Sequence, residues 1–292
     1  MQATRSLGIL VASGILLGAV ALSSGPAHAQ CAAPLPTYAD LKAAAQEAVA
    51  KLKSDGVGLG NEAWATVVNA KGGVCAVAFT GTTLGDQWLG SRVISAQKAN
   101  TAVDFSLSTT YPNPGVGGAL SSGNLYGLVL EQGSLFGLQF SNPVNANIAY
   151  SGNASSFGTA NDPLVGKKIG GVNVFGGGLA LYDDTGKLIG GLGMSGDTAC
   201  ADHINAWRVR FALGLADIPG GVAPTPGTAP DSTDNLILAS PVTPNTFQHP
   251  ICGFKEETII DTLPKTDPVG PPATTPTTPT TPTTPTTPTT PQ

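Results

Sequence analysis

Residues 175–210 read FGGGLALYDDTGKLIGGLGMSGDTACADHINAWRVR. Two apolar runs, Gly178 to Tyr182 and Lys187 to Met194, flank Asp183-Asp184-Thr185-Gly186, whose residue types suit a tight hairpin turn. A glycine-paved turn follows, and then a segment from Ala201 to Leu215. There Ile204, Trp207, Phe211 and Leu215 recur at three- and four-residue spacing, one face of a helix. The turn carries Cys200, Asp202 and His203. Ligand chemistry is therefore expected at this strand–turn–helix junction, and no catalytic triad is visible in it.

Working outward, Thr37 precedes a helical pattern that runs to about Ser54. Tyr38, Leu41, Ala45, Ala48, Val49 and Leu52 form its apolar face, and Thr37 suits the N-cap. Trp64 to Val68 and Val74 to Phe79 read as a hairpin around a Gly-containing turn. Ser91 to Ser108 reads as a second helix, with a small-apolar face of Val93, Ile94, Ala96, Ala99, Ala102, Val103 and Phe105. An Ala-rich face allows close packing on a sheet. Lys98, between the Ala-rich turns, suits a snorkelling lysine. Residues 111–168 are loop-rich, with apolar segments at Leu125–Leu130 and Ser134–Phe140. These elements predict one α+β domain over residues 30–217, an antiparallel sheet of about five strands flanked by helices. Residues 218–263 form an extension, with Asn235 to Ala239 as a further edge strand. Residues 264–292 form a Pro/Thr-rich tail expected to be disordered, which ends in six Thr-Thr-Pro triplets. Proline every third residue matches polyproline II and builds no core.

Residues 1–29 read as a signal peptide. Arg5 precedes an apolar run from Leu7 to Leu22, and Ala27-His28-Ala29 makes a small-x-small cleavage site. Export to the periplasm or extracellular space leaves His203, His249 and Met194 as the neutral imidazole and thioether ligands. Loss of Arg5 takes the formal charge from −5 to −6. That acidity argues against a nucleic-acid partner, which needs a basic stripe. Charged residues make up 11 % of the chain. Such a poorly charged surface suggests burial between subunits of a homo-oligomer. The tail suggests association with the cell envelope.

Four cysteines in an oxidising compartment imply two disulfides with three possible connectivities. Cys200–Cys252 and Cys31–Cys75 are favoured, the first stapling the extension to the core. Cys200-x-x-His203 and His249-x-x-Cys252 are mirror images. Their four ligands suit a tetrahedral zinc site, but a disulfide competes for the sulfurs. With the disulfide formed, His203 and His249 share one neighbourhood and can ligate haem iron or another transition metal. The plain alternative is two hydrogen-bonded histidines beside a staple. Arg208, on the same helix, suits a propionate or another small anion. Gly191-x-Gly-x-x-Gly196 spells a dinucleotide fingerprint, yet one helix alone separates Gly196 from Asp217, where a second parallel strand should end. Gly193-Met194-Ser195-Gly196 misses the hydrolase elbow by one residue.

Two blocks carry a family resemblance. Ser91-Arg92 leads to Lys98-Ala99-Asn100-Thr101-Ala102 and Phe105, and Gly176-Gly177-Gly178 leads through the hairpin to Gly190-Gly191-Leu192-Gly193-Met194-Ser195-Gly196. They resemble the GlcG/HbpS-type haem-binding family over about residues 37–215. The resemblance implies a profilin- or PAS-like fold, higher oligomers, and haem or iron binding; haem degradation is also ascribed to members. It implies a haem contact at Thr109 or Thr110, just beyond the lysine-containing helix. The 111–168 insert and the Asp197-Thr-Ala-Cys-Ala-Asp-His203 segment depart from the family pattern. The expectation is an extracytoplasmic haem- or iron-binding carrier or sensor, with ligands from His203, His249, Thr109 or Thr110. A metal-dependent oxidoreductase or lyase and a structural surface module are the alternatives.

Overall fold

The computed structural model describes residues 31–108, 118–219 and 234–270. The expected signal peptide and Thr109–Thr110 lie outside these residues. The first helix, α1, spans Tyr38–Asp55. Thr37 and Asp40 cap it reciprocally, and Gly56, at φ 65°, ends it by donating its N–H to the carbonyls of Leu52 and Lys53. A side-chain-bearing residue resists that left-handed conformation.

Strands β1 (Trp64–Asn69) and β2 (Val74–Phe79) form the first hairpin, and β3 (Gly178–Tyr182) and β4 (Leu188–Ser195) the second. They make one antiparallel sheet in the order β2-β1-β4-β3. Thr66 of β1 faces Gly193 of β4, and Leu179 of β3 faces Leu192. Period-two alternation divides the side chains between two layers. Ala65, Val67, Leu192 and Met194 pack with Leu41, Ala45 and Ala48 of α1 and with Ile204 and Trp207 of a later helix. Trp64, Val68 and Val77 face the other way, onto Val93, Ala96 and Ala99. Those three belong to α2, Ser91–Asp104.

On this second face β4 presents glycines. A Cβ on Gly193 would lie 1.8 Å from the Ser95 carbonyl oxygen, and one on Gly191 would lie 2.3 Å from that of Ala99. Helix α2 thus rests backbone against backbone on β4, with Thr66 and Ser95 sharing a buried hydroxyl hydrogen bond of 2.7 Å beneath it.

The main sheet has four strands, not about five. The segment expected as a further edge strand becomes β5 (Ile237–Ala239), which pairs in parallel with β6 (Gln248–Pro250) in a separate two-stranded sheet. The edge at β3 is already engaged. Gly178 N–H donates to Ser122 Oγ at 2.9 Å and Tyr182 N–H to the Leu215 carbonyl at 3.0 Å.

The apolar segments of the insert form no strands. They become a 3-10 helix over Ser122–Leu128 and the short helices α3 (Leu138–Ser141) and α4 (Ala146–Ala149). The insert is tied to α2 by a buried Arg92–Asp162 ion pair, whose guanidinium lies 3.7 Å from the Phe157 ring centroid. Helix α5 spans Ala199–Ala212, and α6 (Glu257–Ile260) and α7 (Leu263–Thr266) follow in the extension. Ile260 and Leu263 join the core, and Trp207 Nε1 donates to the Asp267 carbonyl at 2.8 Å. The extension therefore packs through Gly270, beyond the boundary expected at residue 263. Residues 271–292 of the tail lie outside the described residues.

Replacing Gly193 with Ala should cost at least about 2 kcal/mol, because the added methyl has no space to enter. Gly85→Ala, where a Cβ meets nothing within 4 Å, is the matched control. Urea unfolding of the two variants against the parent measures the difference.

Candidate functional site

The turn between β4 and α5 is built around two aspartates. Asp197 accepts hydrogen bonds from the backbone N–H groups of Leu59 (2.8 Å), Asn61 (2.9 Å) and Thr198 (2.7 Å), pinning the loop after α1 to the start of α5. Thr198 caps α5 by accepting from Ala201 N–H, and its hydroxyl donates to the buried Glu256 carboxylate of the extension. Asp202, in the first turn of α5, accepts from Asp197 N–H at 3.0 Å.

Asp202 also binds Lys98. The ammonium sits 2.8 Å from Asp202 Oδ2 and 3.1 Å from the Met194 carbonyl oxygen, and both side chains are 3 % exposed. Lys98 is therefore not a snorkelling surface lysine. The glycines let α2 lie so close that its side chain crosses Gly177 and ends in the interior; a Cβ on Gly177 would come 3.2 Å from Nζ. Burial pushes the Asp202 carboxyl up to about 6, against the opposing pull of Lys98.

The cysteines are joined as favoured from sequence, Cys200 to Cys252 with Cα atoms 6.0 Å apart and Cys31 to Cys75 with Cα atoms 5.4 Å apart. Cys252 brings His249 to the start of α5, where Cys200 Sγ is 3.9 Å from His249 Nδ1. Both nitrogens of His249 are engaged. Nδ1 lies 2.8 Å from the Pro250 carbonyl oxygen, which it can reach only as a donor, and Nε2 accepts from Gly176 N–H at 3.3 Å. These contacts define a neutral tautomer with the proton on Nδ1. Tyr126 covers the ring at 5.4 Å. Burial lowers the His249 imidazole to about 4.

His203 is fully buried, 6.1 Å from the Trp207 ring, and neither ring nitrogen makes a hydrogen bond of normal geometry. Burial holds its pKa well below the ordinary range, reinforced by the positive charge of Arg210 and by His249. The two histidines are thus brought together, but inside the protein rather than at a mouth open to solvent. The extension is what closes over them.

Arg208 is elsewhere. It lies five residues beyond His203, about 140° around the helix axis, and pairs with Asp55 of α1 at 2.9 Å. Arg210 is consumed by a buried bidentate pair with Asp234, at 2.5 and 2.8 Å, stacked 4.8 Å from the Trp207 ring. Among the described residues, Arg208 therefore does not share a site with His203 and His249. Arg208 instead lines a groove of about 1020 Å³ between α1, α5 and the α6–α7 segment. Ala44, Ala48, Phe211 and Ile259 form apolar parts of its wall, Lys51 and Arg208 supply cations, and Glu47, Asp55 and Asp267 supply carboxylates. Sequence reasoning missed Asp202, Asp197 and Glu256 as partners. The signal available was the Lys98-containing motif, since a lysine on an Ala-rich buried face requires a carboxylate.

The buried histidines make stability depend on pH. Their folded pKa values lie below the ordinary 6.5, so their contribution is present above pH 6.5 and is lost as pH falls, for His249 as it approaches about 4 and for His203 as it falls through its depressed value. Asp202 acts oppositely: its raised pKa favours the folded state below about 3.8, and that gain disappears as pH rises to about 6. Two histidines outweigh one carboxyl, so urea midpoints should fall between pH 6.5 and 4.5. A His249→Gln variant should show a shallower fall over the same range.

A family model described as the haem-degrading protein HbpS-like family matches residues 37–209, more than half of the 292-residue chain. No curated protein matches. Among solved structures, a PduOC:heme complex is 26 % identical, with 60 % of this chain and 89 % of that chain covered and a TM-score of 0.37. The Klebsiella pneumoniae protein ORFY is 21 % identical (61 % and 90 % covered, TM-score 0.38), and HbpS is 16 % identical (61 % and 90 % covered, TM-score 0.36). The matched segment begins at the cap of α1 and ends within α5, so it contains the four-stranded sheet, α1, α2 and most of α5; the chain belongs to the HbpS-like family of haem-degrading proteins.

Proposed function

We propose that this protein binds haem outside the cytoplasm and acts as a carrier or sensor of haem or its iron. The family match over residues 37–209 carries this reading. A solved structure similar to this chain is a heme complex. Two disulfides support an oxidising compartment, because such bonds persist there and are rare in the cytosol.

The groove beside Arg208 offers a flat ligand an apolar wall and offers its carboxylates two cations, in competition with Glu47, Asp55 and Asp267 of the same wall. Its volume of about 1020 Å³ is at the upper end of the roughly 300–1,000 Å³ range of small-molecule sites. Arg208 and Lys51 sit where propionates can replace part of the Asp55 interaction. The imidazoles of His203 and His249 reach iron only if the extension moves, since both rings are enclosed. Homo-oligomer formation belongs to the same proposal, with Trp88, Leu89, Phe136, Phe140 and Tyr150 as large exposed side chains to cover. Association of the tail with the cell envelope is a further part of it.

Haem added to the disulfide-intact protein should shift its Soret band at a ratio near one per chain; an unshifted band sinks the proposal. Arg208→Gln should weaken binding by about tenfold, the scale of one charge-assisted hydrogen bond. A folded His203→Gln, His249→Gln variant separates the two seats. Retained binding assigns the groove, and lost binding assigns the imidazoles.

A further inference from the structure

Three metal-binding atoms meet at the start of α5. Cys200 Sγ, Cys252 Sγ and a ring nitrogen of His249 all lie within 4.8 Å of one another. In the disulfide state the sulfurs are bonded to each other and carry no thiolate charge. We propose that reduction of Cys200–Cys252 by a dithiol turns this staple into a two-thiolate, one-imidazole site for a zinc-like dication. The inference concerns the disulfide and is independent of haem binding.

Cys252 is partly exposed and Cys200 is buried, so a thiolate of the dithiol attacks Cys252 Sγ. The S–S bond breaks, and Cys200 leaves as thiolate. The second thiol of the reductant then attacks the mixed disulfide and releases the Cys252 thiolate. The dithiol becomes a disulfide and supplies both electrons. Binding of the dication takes both sulfurs as thiolates, and their two protons go to solvent.

Local structure positions each partner. Cys200 is the second residue of a 14-residue helix, where the helix N-terminus stabilises a thiolate. Its N–H already points at Cys252 Sγ, 3.2 Å away. His249 is held by pairing of β6 with β5 and by the Tyr126 ring. To ligate through Nδ1 it must move its proton to Nε2, which gives up both the hydrogen bond to the Pro250 carbonyl and the one from Gly176 N–H in exchange for metal coordination. Two thiolates and an imidazole suit zinc, and the fourth position is left to solvent. The extension would then stay attached to α5 through a metal in place of a covalent bond.

The test uses the full chain with Cys31→Ser and Cys75→Ser, so that one disulfide responds, or the parent chain compared with Cys200→Ser/Cys252→Ser if the first variant does not fold. The protein is reduced with a phosphine under anaerobic conditions, assayed for free thiols and titrated with Co²⁺. One Co²⁺ per chain should give a thiolate-to-cobalt charge-transfer band that is absent before reduction and that Zn²⁺ abolishes. His249→Ala should weaken Co²⁺ binding at least about tenfold, since loss of even a second-shell partner costs that much. Zn²⁺ should raise the melting temperature of the reduced chain, which separates a folded site from binding by unfolded cysteines. The proposal is overturned by fully reduced protein without the band, by a band unchanged in His249→Ala or in Cys200→Ser/Cys252→Ser, or by no thermal shift with Zn²⁺.

Discussion

The close contact between α2 and the glycines of β4 is the constraint on which the rest of the molecule depends. With no side chain at Gly191 or Gly193, the helix backbone reaches the strand backbone. That approach carries Lys98 past Gly177 to the far end of β4, where it meets Asp202 and the Met194 carbonyl. Helix α5 is thereby registered against α2 across the sheet, and the start of α5 is fixed where Cys200 and His203 lie. Ordinary side chains on β4 would lift α2 and leave a buried lysine without its carboxylate.

The segments added to this core are held by charges as much as by apolar contact. Arg92–Asp162 anchors the insert, and Arg210–Asp234 anchors the extension. Buried pairs of this kind are weak contributors to net stability, but removing one partner leaves an uncompensated charge in the interior. Their use here is positional: each pair accepts one docking geometry for the segment it ties down. The Cys200–Cys252 bond adds a covalent constraint to the second of these segments. Together they explain why two histidines of a protein with so few imidazoles are neutral and enclosed. The extension that delivers His249 also removes the water that would solvate an imidazolium.

Much of the fold is legible along the chain because its signals are local. Thr37 with Asp40 is a capping box, the three- and four-residue apolar spacings mark α1 and α5, and the Asp-Asp-Thr-Gly turn marks the β3–β4 hairpin. The Ala-rich face of α2 and the glycines of β4 are equally visible, and they carried the family resemblance. The strand count was less legible. Asn235 to Ala239 has a strand-like composition, but whether it joins the main sheet depends on Ser122 and Leu215, which occupy the edge of β3 from more than 20 residues away. The apolar segments of the insert were visible only as apolar runs, and nothing local marked them as the short helical turns they form.

By itself the sequence determined the helices, the two hairpins and a cysteine arrangement in which both histidines sit three residues from a sulfur. These are consequences of backbone preference and side-chain period, which act over a few residues. Tertiary structure alone decided the rest. It decided that Lys98 points inward, that Arg208 serves the α1–α5 groove while Arg210 serves the interior, and that His249 has both nitrogens engaged while His203 is enclosed without a hydrogen bond of normal geometry. Hydrogen-bond satisfaction and desolvation depend on which distant atoms close around a group, and no spacing along a chain contains that information.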